Sequence, residues 1–177
     1  ESIHIKIRKM IPVAAGMAGG SSDAAAVLKG INKMFSLGLT DIQLKERGVT
    51  LGADIPYCIS GGTALAEGIG EILTTLPPMP NCYIVLAKPA ISVSTRVVYG
   101  NLKADEIQKH PDIDGIISAI NDRDIVSMAM KMGNVLEDVT IPEYPVIGEI
   151  KHLMRNIGAL NSMMSDSGPT VFGIFND

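Results

Sequence analysis

Apolar and basic residues alternate at the start of the chain, Ile3, Ile5 and Ile7 against His4, Lys6 and Arg8, and this period of two predicts a strand. The period then changes. Ala24, Val27, Leu28, Ile31, Met34 and Phe35 recur at helical spacing and predict a helix with one buried stripe, ending near Gly38. Thr40 and Gln43 form a capping box for a short second helix that stops before Gly48. Gly61 to Glu67 reads as a strand and Gly68-Ile69-Gly70-Glu71 as a turn into another. Pro77, Pro78 and Pro80 make a stiff break, taken as the domain boundary. Beyond it, Cys82 to Ala87 is a compact apolar strand, and Ser94 or Thr95 caps a helix toward Gly100. Asp114 to Ile120 and Asp122 to Met132 suggest two further helices. Pro145 to Ile157 is amphipathic, with Val146, Ile147, Ile150, Leu153, Met154 and Ile157 on one face, and Thr170 to Phe175 closes as a strand. The mixed order, without regular alternation of strand and helix, predicts an α+β fold in layers, divided into residues 1–78 and 79–177.

Between the first strand and the first helix lies Pro12-Val13-Ala14-Ala15-Gly16-Met17-Ala18-Gly19-Gly20-Ser21-Ser22. Glycines let backbone N–H groups approach a ligand closely, and Ser21 and Ser22 are good N-caps for the helix that follows. A glycine loop feeding a helix N-terminus suits an anion, phosphate above all. Neither common phosphate motif is present: no Lys follows Gly20, and the glycine spacing is not G-x-G-x-x-G. On the loop alone, a phosphate site and a plain turn before a capped helix both stay open. Two other segments share its character. Leu51 to Gly62 places Asp54 between a glycine turn and Pro56, where by itself an Asp is a turn or capping residue. Met163 to Phe175 offers hydroxyls and N–H groups before a strand, by itself an ordinary connection. Three such segments in one chain point to a shared site.

Composition narrows the classes. Of 177 residues, 46% are hydrophobic and 19% charged, which is globular. A net charge of −4, with only three Phe and four Tyr for stacking, argues against a nucleic-acid partner. No apolar run reaches membrane-spanning length, so no membrane partner is expected. Cys58 and Cys82 stand far apart without ligand spacing, which indicates neither a metal site nor a disulfide framework and fits a reducing cytoplasm. His4, His110 and His152 receive no role, and Lys88 and Arg96 read as solvated surface charges.

Pro12 to Ala25 resembles the phosphate-binding motif of the GHMP small-molecule kinases, and Ser165 to Thr170 resembles that family's third motif. The likeness runs from about Lys9 to the C-terminus, with three motifs in the family's order. It implies a GHMP-kinase-like fold with part of the N-terminal ATP-binding domain and most of the C-terminal one. It also implies ATP with Mg²⁺ as cofactors, cradled by Pro12, Ala14, Ala15, Gly16, Met17, Ala18, Gly19, Gly20, Ser21 and Ser22, so that a side chain at Gly19 would block the phosphates with little change in fold. Asp54 is implied as the base taking the proton from the substrate hydroxyl. Thr95, Tyr99, Ser167 and Gly168 are implied to meet a cytidyl diphosphate polyol, with Tyr99 standing where some members stack a Phe. A homodimer is a further expected partner, since the exposed edge of the Ile3 to Arg8 strand would pair with another copy. A member acting on mevalonate or homoserine is the alternative within the family, and a non-catalytic anion-binding module the alternative outside it. One departure lies in the third motif, where Asp166 stands in place of a usual Gly. The other is at the ends. The family carries a strand-rich segment with a Lys partner for the base ahead of the first motif and continues beyond the last. The chain therefore reads as an internal piece, without kinase activity alone.

Overall fold

A computed structural model describes residues 2–177. The chain divides into two compact units, the first made of the residues up to Val13 with Ala18–Leu76, the second of Ala14–Met17 with Pro77–Asp177.

In the first unit, helices α1 (Gly19–Met34), α2 (Asp41–Val49) and α3 (Ile55–Ser60) pack on one another, followed by the hairpin of β1 (Thr63–Glu67) and β2 (Ile72–Leu76). The capping box forms as the sequence predicts: Gln43 N–H donates to Thr40 Oγ1 while the Gln43 side chain receives the Thr40 N–H. A small core joins Ala25, Leu44, Ile55 and Ile59. The α2 helix does not stop before Gly48 but runs through it, because a Cβ there would come within 2.7 Å of Ile55 Cγ2, and hydrogen allows α2 and α3 to touch. Two expectations fail here. Residues 2–10 form no β-ladder with the described residues, and Ile3, Ile5 and Ile7 stay exposed, since alternation makes a strand only where another strand accepts its hydrogen bonds. The α1 stripe also does not bury whole: Ala24, Val27, Leu28 and Ile31 are half-buried, Met34 and Phe35 are exposed, and the buried residue is the neighbouring Ala25. The helix outruns the short α2–α3 layer against which it packs.

The second unit holds β3 (Tyr83–Ala87), α4 (Thr95–Asn101), a 3₁₀ turn (Ala104–Glu106), α5 (Ile113–Asn121), α6 (Ile125–Lys131), α7 (Glu137–Glu143), α8 (Pro145–Asn156), β4 (Asn161–Met164) and β5 (Val171–Phe175). The three strands make an antiparallel sheet in the order β3-β5-β4, with Leu86 facing Phe172 and Met163 facing Phe172 from the other side. α8 lies on β4 and β5, and the core between them includes Ile147, Met154, Met164 and Val171. Of the face expected on α8, Ile147 and Met154 are buried while Leu153 and Ile157 are exposed, so the buried stripe is narrower than the sequence suggests. Two elements have no clear sequence signal. α7 contains Pro142 near its end. β4 buries Ser162 alongside Met164, which masks the apolar alternation.

Helices α5 and α6 are capped by carboxylates, Asp112 accepting from Gly115 N–H and Asp124 from Ser127 N–H, each at 3.0 Å. The Ser127 hydroxyl and then its N–H hold the Asp124 carboxyl below the usual carboxylate range. A folded pKa that is lowered contributes stability above the unfolded value and loses it as pH falls through the folded one. Asp124→Ala should therefore lower the Tm near neutral pH, with the gap closing in acid below about pH 4; a gap constant with pH would remove the capping carboxylate from the account. Ile147 has no exposed surface, and Ile147→Ala should cost about 2–5 kcal/mol in urea unfolding, against less than about 1.5 kcal/mol for Ile147→Val.

Candidate functional site

The glycine loop turns tightly. Ala14, Gly16 and Ala18 all have positive φ, and Ala18 occupies the N-cap of α1 at φ 47, ψ 29 without any side-chain cap. The helix thus starts at Gly19, ahead of the predicted serine caps, and Ser21 and Ser22 lie inside its first turn. Ser22 Oγ donates back to the Gly19 carbonyl at 3.0 Å, and the Ser22 N–H bonds the Ala18 carbonyl. The opening amides of a helix have no intrahelical acceptor, and the dipole favours negative charge there. With no acidic residue in its first turn, this end of α1 suits an anion. Lys9, given no part by the sequence beyond marking where the likeness begins, reaches the Gly19 carbonyl at 3.0 Å and Asp23 Oδ2 at 2.5 Å. A cation therefore stands beside the loop after all, brought from the chain before it rather than after it. A Cβ on Gly19 would come 2.9 Å from Ile11 Cγ2 and 3.3 Å from Lys9 Nζ, so a side chain there displaces its own neighbours; at Gly20 nothing lies within 4 Å.

Ala14–Met17 pack on the loop that joins β4 to β5. Ser165 Oγ donates to the Gly16 carbonyl at 2.6 Å, and a Cβ on Gly16 (φ +68) would lie 2.3 Å from the Ser165 carbonyl oxygen. Only glycine fits that contact and that backbone. The β4–β5 loop is itself pinned from behind. Asn134 Nδ2 donates to the carbonyls of Met164 (2.9 Å) and Asp166 (2.8 Å), while its Oδ1 receives the Leu136 N–H. Glu137 Oε1 takes the Met164 N–H at 2.7 Å, its other oxygen pairs with the Lys151 ammonium, and Thr140 Oγ1 donates to the Ser167 carbonyl at 3.3 Å. Asn134, Glu137 and Thr140 are the supports that sequence reasoning missed. Their three-residue spacing was visible, but nothing local tied it to a loop some thirty residues on.

On α4, Thr95 and Tyr99 face the same loop: Thr95 Oγ1 lies 2.9 Å from Ser167 Oγ, and the Tyr99 hydroxyl donates to Asp166 Oδ1 at 3.3 Å. The candidates Thr95, Tyr99, Ser167 and Gly168 thus gather in one unit with Ala14, Ala15, Gly16 and Met17. Tyr99 and Asp166 line a cavity of about 450 Å³ together with Asn134, Met163 and Phe172. Asp166 has φ 51, the left-handed backbone that a Gly would adopt without strain. Lys88 is not a solvated charge; it is half-buried and bonds the carbonyls of Pro89 and Ile91.

Asp54 belongs to the first unit, at the N-cap position of α3 with Pro56 in the first turn, and its side chain does not cap the helix. Two contacts set its position: α3 touches α2 over Gly48, and Gly70 (φ +121), in the hairpin turn, places its Cα where a Cβ would lie 3.0 Å from the Ala53 carbonyl oxygen. The carboxylate is exposed and one helical turn from Cys58, whose thiol is pushed up first by burial and then by the Asp54 charge. Of the remaining candidates, Pro12 and Gly20 are exposed, and Ala18, Gly19, Ser21 and Ser22 are half-buried. Among the described residues, no three His, Cys, Asp or Glu side chains gather as a metal cluster, and no helix is long and apolar enough to cross a membrane.

The chain is similar to known proteins over most of its length. The GHMP kinases N terminal domain matches residues 1–62, and the GHMP kinases C terminal domain matches residues 113–177. The 4-diphosphocytidyl-2-C-methyl-D-erythritol kinase of Lachnospira eligens is 59% identical over 175 residues, covering 99% of this chain and 61% of its own length. That of Lachnoclostridium phytofermentans is 55% identical over 177 residues, again 61% of its own length. The chain thus spans about three fifths of these relatives. A crystal structure of 4-(cytidine 5'-diphospho)-2C-methyl-D-erythritol kinase, 32% identical, superposes with a TM-score of 0.75 over 94% of this chain and 59% of that one. Homoserine kinase from Cytophaga hutchinsonii, 20% identical, shares the fold at a TM-score of 0.80 over 96% of this chain and 59% of its own. With both domains matched and the motifs in order on this mixed helix-and-sheet fold, the chain belongs to the GHMP kinase family.

Proposed function

We propose that the protein is an ATP-dependent kinase that phosphorylates the 2-hydroxyl of 4-diphosphocytidyl-2-C-methyl-D-erythritol, a step of non-mevalonate isoprenoid synthesis. The observation that carries this reading is the extent of the likeness to kinases of that name, which covers nearly the whole chain at more than half identity. In this reading residues 1–78 belong to the ATP-binding domain and residues 79–177 form the C-terminal domain. The setting is cytoplasmic, the partner a small molecule, and a second copy of the chain completes a homodimer; nucleic acid and membrane play no part.

Phosphoryl transfer asks mainly for positioning and charge stabilisation. The uncapped first turn of α1 supports a role for Gly19, Gly20 and Ser21 amides on the ATP phosphates, and Gly16 gives the loop its tight turn. Lys9, paired with Asp23, stands at the same helix end. Mg²⁺, when bound, would neutralise charge on the phosphates. Asp54 takes the proton of the attacking hydroxyl. Thr95, Tyr99, Ser167 and Gly168 hold the cytidyl end.

A panel of 4-diphosphocytidyl-2-C-methyl-D-erythritol, mevalonate and homoserine, assayed with ATP and the intact protein, tests the reading: product from the cytidyl compound alone is expected, and turnover of mevalonate or homoserine instead would replace it. Asp54→Asn should cut kcat by about 100-fold or more while ATP still binds. The same variant loses the charge that raises the Cys58 thiol, so Cys58 should hold more thiolate at pH 8 and react faster with iodoacetamide, followed on its own peptide. Near-normal kcat together with faster alkylation would leave Asp54 a charged turn residue and not a base. Gly20→Val, with open space around its Cβ, should leave the Tm of the ligand-free protein nearly unchanged and weaken ATP binding on the order of tenfold. Unchanged calorimetric affinity would detach the phosphates from α1.

A further inference from the structure

Lys29, an exposed residue of α1, reaches across to the far end of α3. The last carbonyls of a helix have no donor within it and must find one elsewhere. At the end of α3 the Gly61 N–H serves the Tyr57 carbonyl at 2.7 Å, and the Lys29 ammonium serves the Ile59 carbonyl at 2.5 Å. Ile59 is only 1% exposed, so its carbonyl would bear a desolvation cost without that donor.

The place of Lys29 on α1 gives the bond its meaning. Residues four apart share a helix face, and Ala25, one turn earlier, is buried in the core with Ile55 and Ile59. Leu28 packs against the same cluster. Apolar contact of this kind is non-directional and sets how closely two helices lie. A hydrogen bond from one helix to a defined carbonyl of the other is directional, and it also sets their register.

Register matters because the two helices carry the two ends of the chemistry. α1 starts at Gly19, where the phosphates are held in the reading above, and Asp54 stands at the N-cap position of α3, all within the first unit. Phosphoryl transfer needs the attacking and leaving oxygens in line, and a misplacement of about 1 Å can cost on the order of 100-fold in rate. Close packing at Gly48 and Gly70 bears on α3 at Ile55 and on Ala53 before it, and Lys29 holds the opposite end.

We propose that Lys29 is a positioning residue, whose bond to the Ile59 carbonyl fixes the register of α3 on α1 and so the place of Asp54 relative to the phosphate end of α1. The inference rests on the kinase reading above, with Asp54 as base, and adds a residue that acts through the backbone of α3.

The test uses the intact protein with Lys29→Met, which keeps the apolar stem and loses the donor, and Lys29→Arg, which supplies a donor again. Each is also made in an Asp54→Asn background. Lys29→Met should lower kcat with the cytidyl substrate about tenfold, while the calorimetric dissociation constant for ATP changes by less than about twofold. Lys29→Arg should recover most of the loss. In the Asp54→Asn background Lys29→Met should cost nothing further, since no base remains to be placed. Amide hydrogen exchange over residues 55–62 should quicken in Lys29→Met and slow again in Lys29→Arg. Unchanged kcat in Lys29→Met overturns the proposal, and so does a loss of equal size with and without Asp54, which is what general damage to the fold would give. Failure of the kinase reading looks different: the unmodified protein would not turn over the cytidyl compound, or Asp54→Asn would keep near-normal kcat. Exchange over α3 then decides, quickened exchange in Lys29→Met upholding the anchor and unchanged exchange overturning it.

Discussion

The β4–β5 loop cannot leave its backbone polar groups unsatisfied, and the second unit is organised around meeting that demand. Ser167 and Gly168 are buried, and buried carbonyl and N–H groups need partners. Sheet pairing stops at the Met164–Val171 pair, and within the loop the Ser165 N–H bonds the Thr170 carbonyl and the Gly168 N–H bonds the Ser165 carbonyl, so side chains must serve the groups that remain. Asn134, Glu137 and Thr140 do so from one stretch of chain, and Lys151 neutralises Glu137 in a mostly buried ion pair. A loop held this way keeps one shape, and its Ser165 hydroxyl passes that shape on to Gly16. The glycine-loop segment Ala14–Met17 is held by that tertiary bond together with the glycine at position 16 that the close contact requires.

A different kind of constraint fixes Asp54. Close packing bears on its backbone. Gly48 lets α2 lie against Ile55, and Gly70 brings the hairpin turn onto Ala53, so the residue between Ala53 and Ile55 has little room to move. The side chain stays exposed, and its charge is felt by the Cys58 thiol one turn away. The two halves of the candidate machinery thus lean on different physics, hydrogen-bond satisfaction in one unit and, beside Asp54, steric contact in the other.

The family likeness covers both domains, and two residues of the second unit meet one another there. Asp166 takes a left-handed backbone that a side chain tolerates poorly, and Asn134 holds its carbonyl there. Tyr99 supplies the hydroxyl that meets the resulting carboxylate.

The sequence by itself determined what local rules govern. The Thr40–Gln43 capping box, the turn at Gly68–Gly70 and the strands at β3 and β5 are set by residues close together in the chain, and all were legible. Tertiary structure decided whatever depends on a distant partner. Alternation at Ile3–Arg8 was a true pattern without a ladder among the described residues, and β4 was a true strand without a clean pattern, because Ser162 is buried by bonds to Lys151 and Arg155 that no alternation announces. Ser21 and Ser22 were expected as caps, but the positive φ of Ala18 starts the helix before them. Lys9, Asn134 and Glu137 escaped notice for the same reason. A side chain's partner across ten or thirty residues is chosen by the fold, and periodicity reports only which face a residue is on, never what waits opposite it.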